Sequence, residues 1–68
     1  MIVTFVSVID SLSEDGVVRF VDKPGGYAVP QSPEDIAGLI KQRFHAGRPV
    51  EISYDDSTLE IVDARPGD

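Results

Sequence analysis

Two adjacent glycines, Gly25 and Gly26, stand ahead of a helix-start signal in the stretch DKPGGYAVPQSPED. A glycine loop leading into a helix is the arrangement that cradles phosphate. A P-loop, however, needs G-x-x-x-x-G-K-[ST] with the helix beginning at once, and a dinucleotide fingerprint needs G-x-G-x-x-G. Neither pattern occurs here. Pro30 interrupts the path from the glycines to the helix, and Glu34 and Asp35 occupy its first turn. Carboxylates at that position repel a phosphate from the place where a helix would bind it. The stretch therefore reads as a joint between a strand and a helix.

The other chemically able residues are sparse. His45 is the only histidine and there is no cysteine, so thiolate metal sites, disulfides and multi-histidine zinc sites are excluded. His45 has no nucleophile or carboxylate beside it. At the end of a helix, its charged form is favoured by the dipole. No serine lies in a G-x-S-x-G elbow. The acidic pairs Glu14-Asp15 and Asp55-Asp56 lack the calcium-loop pattern and fit solvated turns. No cofactor is implied, and the chain reads as non-enzymatic.

Tyr27, beside the glycines, and Tyr54 are the aromatic residues expected to be partly exposed. With Arg48, they are the candidate ligand contacts. Lys41, Arg43, Arg48 and Arg65 could form a basic spot at the end of the helix. The formal charge is −6, from 12 acidic and 6 basic residues, which repels phosphate backbones and anionic surfaces. Nucleic-acid and membrane partners are therefore disfavoured. No apolar run approaches the roughly 20 residues of a membrane span. The apolar start MIVTFVSVID lacks a basic leader region, so a cytoplasmic protein is expected. The lack of cysteine is equally compatible with a mature secreted chain.

The elements that must position these residues follow from the apolar pattern. Residues 2–9 read as a β-branched strand, with Val3, Phe5 and Ile9 on one face and Ile2, Val6 and Val8 on the other. Asp10 to Gly16 reads as a polar turn ending in Asp-Gly. Val17 to Lys23 forms a second strand, and Tyr27 to Val29 a short third one stopped by Pro30. Ser32 fits an N-cap, Pro33 the first helical position, and Asp35 completes a capping box. Ile36, Leu39, Ile40 and Phe44 make one apolar stripe, with Gly38 close to it. Gly47 and Pro49 end the helix. Val50 to Tyr54 alternates cleanly, and Thr58 to Ala64 returns before a polar tail. The expected core is Val3, Phe5, Val18, Phe20, Ile36, Leu39, Ile40, Phe44, Ile52 and Ile61.

This order gives a single domain, 1–68, of β-rich α+β class. It fits a small five-stranded OB-fold-like barrel with one helix between strands 3 and 4. The alternative is a β-grasp-like sheet with one helix across it. From Ile36 to Val62, IAGLIKQRFHAGRPVEISYDDSTLEIV resembles the closing part of small bacterial OB-fold domains, including those related to toxin B-subunits. The shared features are the apolar helix, the GRPV turn, the VEISY strand and the TLEIV return. The resemblance implies the fold and a tendency to assemble. It carries no sugar-binding residue, since the cysteine pair of the toxins is missing.

Composition and strand pattern lead to two functional expectations. One is a protein-interaction or self-assembling module, with another protein or a second copy as partner. Its interface would use Ile2, Val6 and Val8, the apolar residues left over on the first strand. The other is an OB-type domain binding a small ligand, oligosaccharide or oligonucleotide.

Overall fold

The computed structural model describes residues 1–31 and 34–68. Among these, the chain forms β1 (Ile2–Ser7), β2 (Ile9–Leu12), β3 (Val17–Phe20), β4 (Gly26–Ala28), α1 (Glu34–Ala46), β5 (Val50–Asp55) and β6 (Glu60–Pro66). The β-rich α+β class holds, but there are six strands rather than five. They form one sheet in the order β1-β5-β6-β4-β3-β2.

The extra strand arises because the expected first strand breaks at Val8. Ile2 to Ser7 pairs with β5, and Ile9 to Leu12 pairs with β3. The two ends of the sheet order are thus neighbours in sequence. A flat sheet would hold β1 and β3 about 19 Å apart, four strand spacings. Yet the rings of Phe5 on β1 and Phe20 on β3 meet edge-on, with centroids 5.0 Å apart. The sheet is therefore strongly curled. It is not closed, because no ladder joins β1 to β2.

Two expected loops are shorter than the sequence suggests. Asp10, Ser11 and Leu12 belong to β2, where Asp10 and Ser11 are exposed and Leu12 packs on the core. A bulge between Ile9 and Ser11 shifts their register, which hides the alternation from a sequence reading. The turn proper is Ser13 to Gly16, with Gly16 at φ 86°. At the other end, Arg65 and Pro66 carry β6 on along β5, beyond the expected end at Ala64, instead of belonging to a loose tail.

The core contains Ile9, Val18, Phe20, Tyr27, Ile36, Ile40, Val50, Ile52 and Ile61, with Phe5 and Phe44 partly buried against it. Leu39 and Val3 were expected here and are only half-buried, outside the group packed on the core. The buried helical stripe is Ile36 and Ile40, continued by Phe44, spaced by four residues, and Leu39 falls on its flank. The helix lies against β2 and β6. Ser32 and Pro33, the expected cap and first helical residue, lie outside the described residues, while Glu34 and Asp35 open the helix as expected. At its other end Gly47 is left-handed, φ 67°. Gly47 N donates to Phe44 O at 3.2 Å and Arg48 N to Arg43 O at 3.1 Å, the paired bonds of a Schellman stop.

The two glycines of the loop have different tasks. Gly25 supplies a positive φ of 78°. Gly26 supplies closeness: a Cβ there would come within 2.5 Å of Val17 Cγ1 on the paired strand. Gly38, by contrast, does not mediate close packing. It is exposed, and a Cβ there would meet nothing within 4 Å. A mid-helix glycine of this kind costs about 1 kcal/mol relative to alanine. Gly38→Ala is therefore expected to raise stability by about that amount, read from the urea midpoint. An unchanged or lower midpoint would show that the position is constrained.

Candidate interaction surface

β1 is an end strand whose side chains alternate strictly. Val3, Phe5 and Ser7 turn toward the core, and Ile2, Thr4 and Val6 turn outward. Ile2 is 53% exposed and Val6 49%. Val8, at the break before β2, is only half-buried, and its carbonyl accepts from Val21 N at 3.1 Å. Of the three expected interface residues, the structure therefore aligns Ile2 and Val6 on one outward strip, with Thr4 between them. Val8 stands at the bend and leaves the alternation. Next to the strip, β5 presents Glu51, Ser53 and Asp55 as the register partners of Val6, Thr4 and Ile2. The Thr4 and Ser53 hydroxyls hydrogen-bond at 2.9 Å.

Of the expected ligand contacts, Tyr27 and Tyr54 meet ring to ring, whereas Arg48 is paired elsewhere with Asp68. Tyr27 is 7% exposed, which corrects the expectation that glycine neighbours would leave it open. Gly26 lets β4 approach β3 closely, and the Tyr27 ring turns inward onto Phe20 and Tyr54, at 5.6 and 4.7 Å between centroids. Burial, then the neighbouring Tyr54 hydroxyl, pushes the Tyr27 phenol above its ordinary range. Tyr54 is half-buried in the same cluster, which Phe5 completes. The Lys23 ammonium lies 5.1 Å from the Phe5 centroid, within cation–π range.

Arg48 precedes β5, at the end of that strand opposite Tyr54. It pairs with Asp68 at 2.7 Å, and Arg43 pairs with the same carboxylate at 3.1 Å. Partial burial works against ionisation of Asp68, but the two guanidinium charges prevail and hold its carboxyl below the ordinary range. Arg65 pairs with Asp63. The expected basic spot is thus divided, and three of its four cations already face carboxylates of this chain. Only Lys41 of that group lines a shallow recess of about 820 Å³ between the Ser13–Gly16 turn and α1. Leu12, Val29 and Phe44 form its apolar floor, Asp15 stands on one side, and Lys41 and His45 on the other.

The chain matches no protein-family model, no curated protein and no solved structure. Among the described residues, no group of three His, Cys, Asp or Glu side chains is placed to hold a metal ion. No helix among them is long and apolar enough to cross a membrane.

Sequence reasoning found the strip because the period-2 pattern of β1 exposes it directly. It missed the inward turn of Tyr27, which depends on how closely Gly26 lets β4 approach β3. It also missed Ser7, buried on the inward face, whose hydroxyl donates to Asp22 and so ties the 21–25 loop to β1. Only its place in the alternation, at an inward position, could have signalled this.

Proposed function

We propose that this chain is a small OB-fold-like domain that serves as a non-catalytic, self-associating interaction module, docking through the outward strip of β1. The OB-like reading is supported by the strand order, by end strands that follow one another in sequence, and by the helix between β4 and β5. The contact of Phe5 with Phe20 favours this curled arrangement over the open sheet of a β-grasp. The resemblance of residues 36–62 to assembling bacterial OB-fold domains points the same way.

One observation carries the functional reading: two β-branched residues, Ile2 and Val6, stand about half exposed on a strand without a single charge. An apolar strip of this kind is characteristic of an interface. Ligand binding by base or sugar stacking draws less support, because such platforms present open aromatic rings. Here Phe5, Phe20, Tyr27 and Tyr54 are spent on one internal cluster.

The test is mass in solution. Light scattering over a concentration series is expected to rise from one chain mass toward two. Val6→Lys is expected to remain at one chain mass while keeping the parent circular dichroism. Because both partners carry −6, association should tighten as salt is added. A parent that stays at one chain mass throughout would overturn self-association.

A further inference from the structure

The hydrogen-bond pattern of β1 indicates how two copies would meet; this step rests on the self-association reading above. Asp56 N donates to Met1 O at 3.1 Å, and the β1–β5 register places Met1 opposite Asp56. In an antiparallel ladder, hydrogen-bonded and non-hydrogen-bonded pairs alternate. Val3, Phe5 and Ser7 therefore exchange bonds with β5. Ile2, Thr4 and Val6 aim their N–H and C=O groups away from it. Among the described residues, no backbone or side-chain group bonds to those outward peptides. The 21–25 loop is tied nearer the other end of the strand, through Val21 to Val8 and Asp22 to Ser7.

The two end strands of the sheet differ in how they are protected. β2 is four residues long, carries Asp10, has a bulge and lies against α1. Those are the ordinary defences of a sheet edge. β1 is six residues long, has no charge, proline or bulge, and is rich in β-branched side chains. Such an edge is a template for another strand.

We infer that β1 pairs antiparallel with β1 of a second copy, edge to edge, about a twofold axis at Thr4. The sequence Ile2-Val3-Thr4-Phe5-Val6 is self-complementary in that register. Ile2 faces Val6 of the second copy, Thr4 faces Thr4, and Val6 faces Ile2. The outward peptides of these residues become the hydrogen-bonded pairs of the new ladder. Apolar and β-branched side chains meet across it, and Thr–Thr is a favourable cross-strand pair. The carboxylates on β5 beside the strip, Glu51 and Asp55, lie one strand inward, and Asp22 stands at the Ser7 end, bonded to the Ser7 hydroxyl. Across the junction the β5 carboxylates are about 14 Å apart, three strand spacings, which exceeds the screening length of physiological salt. A twofold axis makes the contact isologous, so assembly stops at the dimer.

Thr4→Pro separates edge pairing from packing of one outward strip on another. The Thr4 N–H points away from β5, and proline is tolerated at that kind of edge position. The variant is expected to keep the parent far-ultraviolet spectrum, keep Val6 exposed, and halve the mass of the associated form. Thr4→Cys adds a second readout, since the chain has no cysteine. Opposed Thr4 positions in a hydrogen-bonded pair lie about 5.5 Å apart at Cα, within disulfide reach. Mild oxidation should then yield a covalent dimer, whereas Glu14→Cys, in the exposed turn, should not. If Val6→Lys is monomeric but Thr4→Pro remains a dimer without Thr4→Cys cross-linking, edge pairing is wrong and docking by the strip stands. If both Val6→Lys and Thr4→Pro remain dimers, both readings fail.

Discussion

Ile40→Ala is expected to remove about 2–5 kcal/mol of folding stability, the usual cost of truncating a buried branched aliphatic residue to alanine. Ile40 is fully buried, on the face of α1 that packs against the curled sheet. Removing most of its side chain leaves a cavity between helix and strands that a small core cannot easily close. A domain of this size holds roughly 3–10 kcal/mol in total, so the variant stands at the edge of unfolding. Leu39→Ala, one residue away, is the informative contrast. Leu39 is half-buried and outside the core group, so its loss should cost about 1 kcal/mol or less. Urea titration followed by circular dichroism, at one fixed low concentration so that the proposed association adds no apparent stability, distinguishes the two. Equal losses would mean that the helix is rotated so that Leu39 also faces the sheet.

The contrast between Ile40 and Leu39 shows where sequence patterning reaches its limit. The apolar residues of α1 announce a helix and a stripe, and the acidic start and Gly47 stop give its ends to within a residue or two. They do not fix which edge of the stripe is centred on the sheet. That depends on where β2 and β6 meet the helix, and this in turn depends on the curl. The break at Val8 was hidden for a related reason. Residues 2–9 are apolar on both faces, so nothing in the pattern marks the point where the chain leaves β5 and joins β3. Asp10 and Ser11 look like turn residues because they are polar, but an end strand can carry polar side chains on its outer face. The exposed apolar strip was more legible, since Ile2 and Val6 share a parity that Phe5 and Val3 oppose. Its hydrogen-bonding edge was not, because which peptides point outward is set by the register with β5. Tyr27 and Arg48 show the same limit. Their types suggested ligand contacts, while distant partners, Tyr54 in one case and Asp68 in the other, determine what they touch.

Phe20→Ala is expected to be the most damaging single truncation, costing about 3–5 kcal/mol. Phe20 is 3% exposed and belongs to the inner face of β3. Its ring meets Phe5 edge-on at 5.0 Å and Tyr27 at 5.6 Å. The first contact joins strands that stand four places apart in the sheet, so it bears on the curl itself as well as on buried area. At roughly 4–8 °C per kcal/mol for a domain of this size, the melting temperature should fall by more than about 10 °C. Phe20→Leu retains most of the buried surface and loses the ring-to-ring geometry, worth about 0.5–1.5 kcal/mol per aromatic pair. It should therefore fall between the parent and Phe20→Ala. Val21→Ala provides the adjacent control: Val21 is 61% exposed, and its truncation should stay within about 0.5 kcal/mol of the parent. The near-ultraviolet dichroism of Tyr27 and Tyr54 supplies a second, local readout, because their packing depends on the Phe20 ring. If Phe20→Ala melts within a few degrees of the parent and keeps that signal, the sheet is not held in its curl by the meeting of β1 and β3. The free edge of β1 would then have to be placed anew.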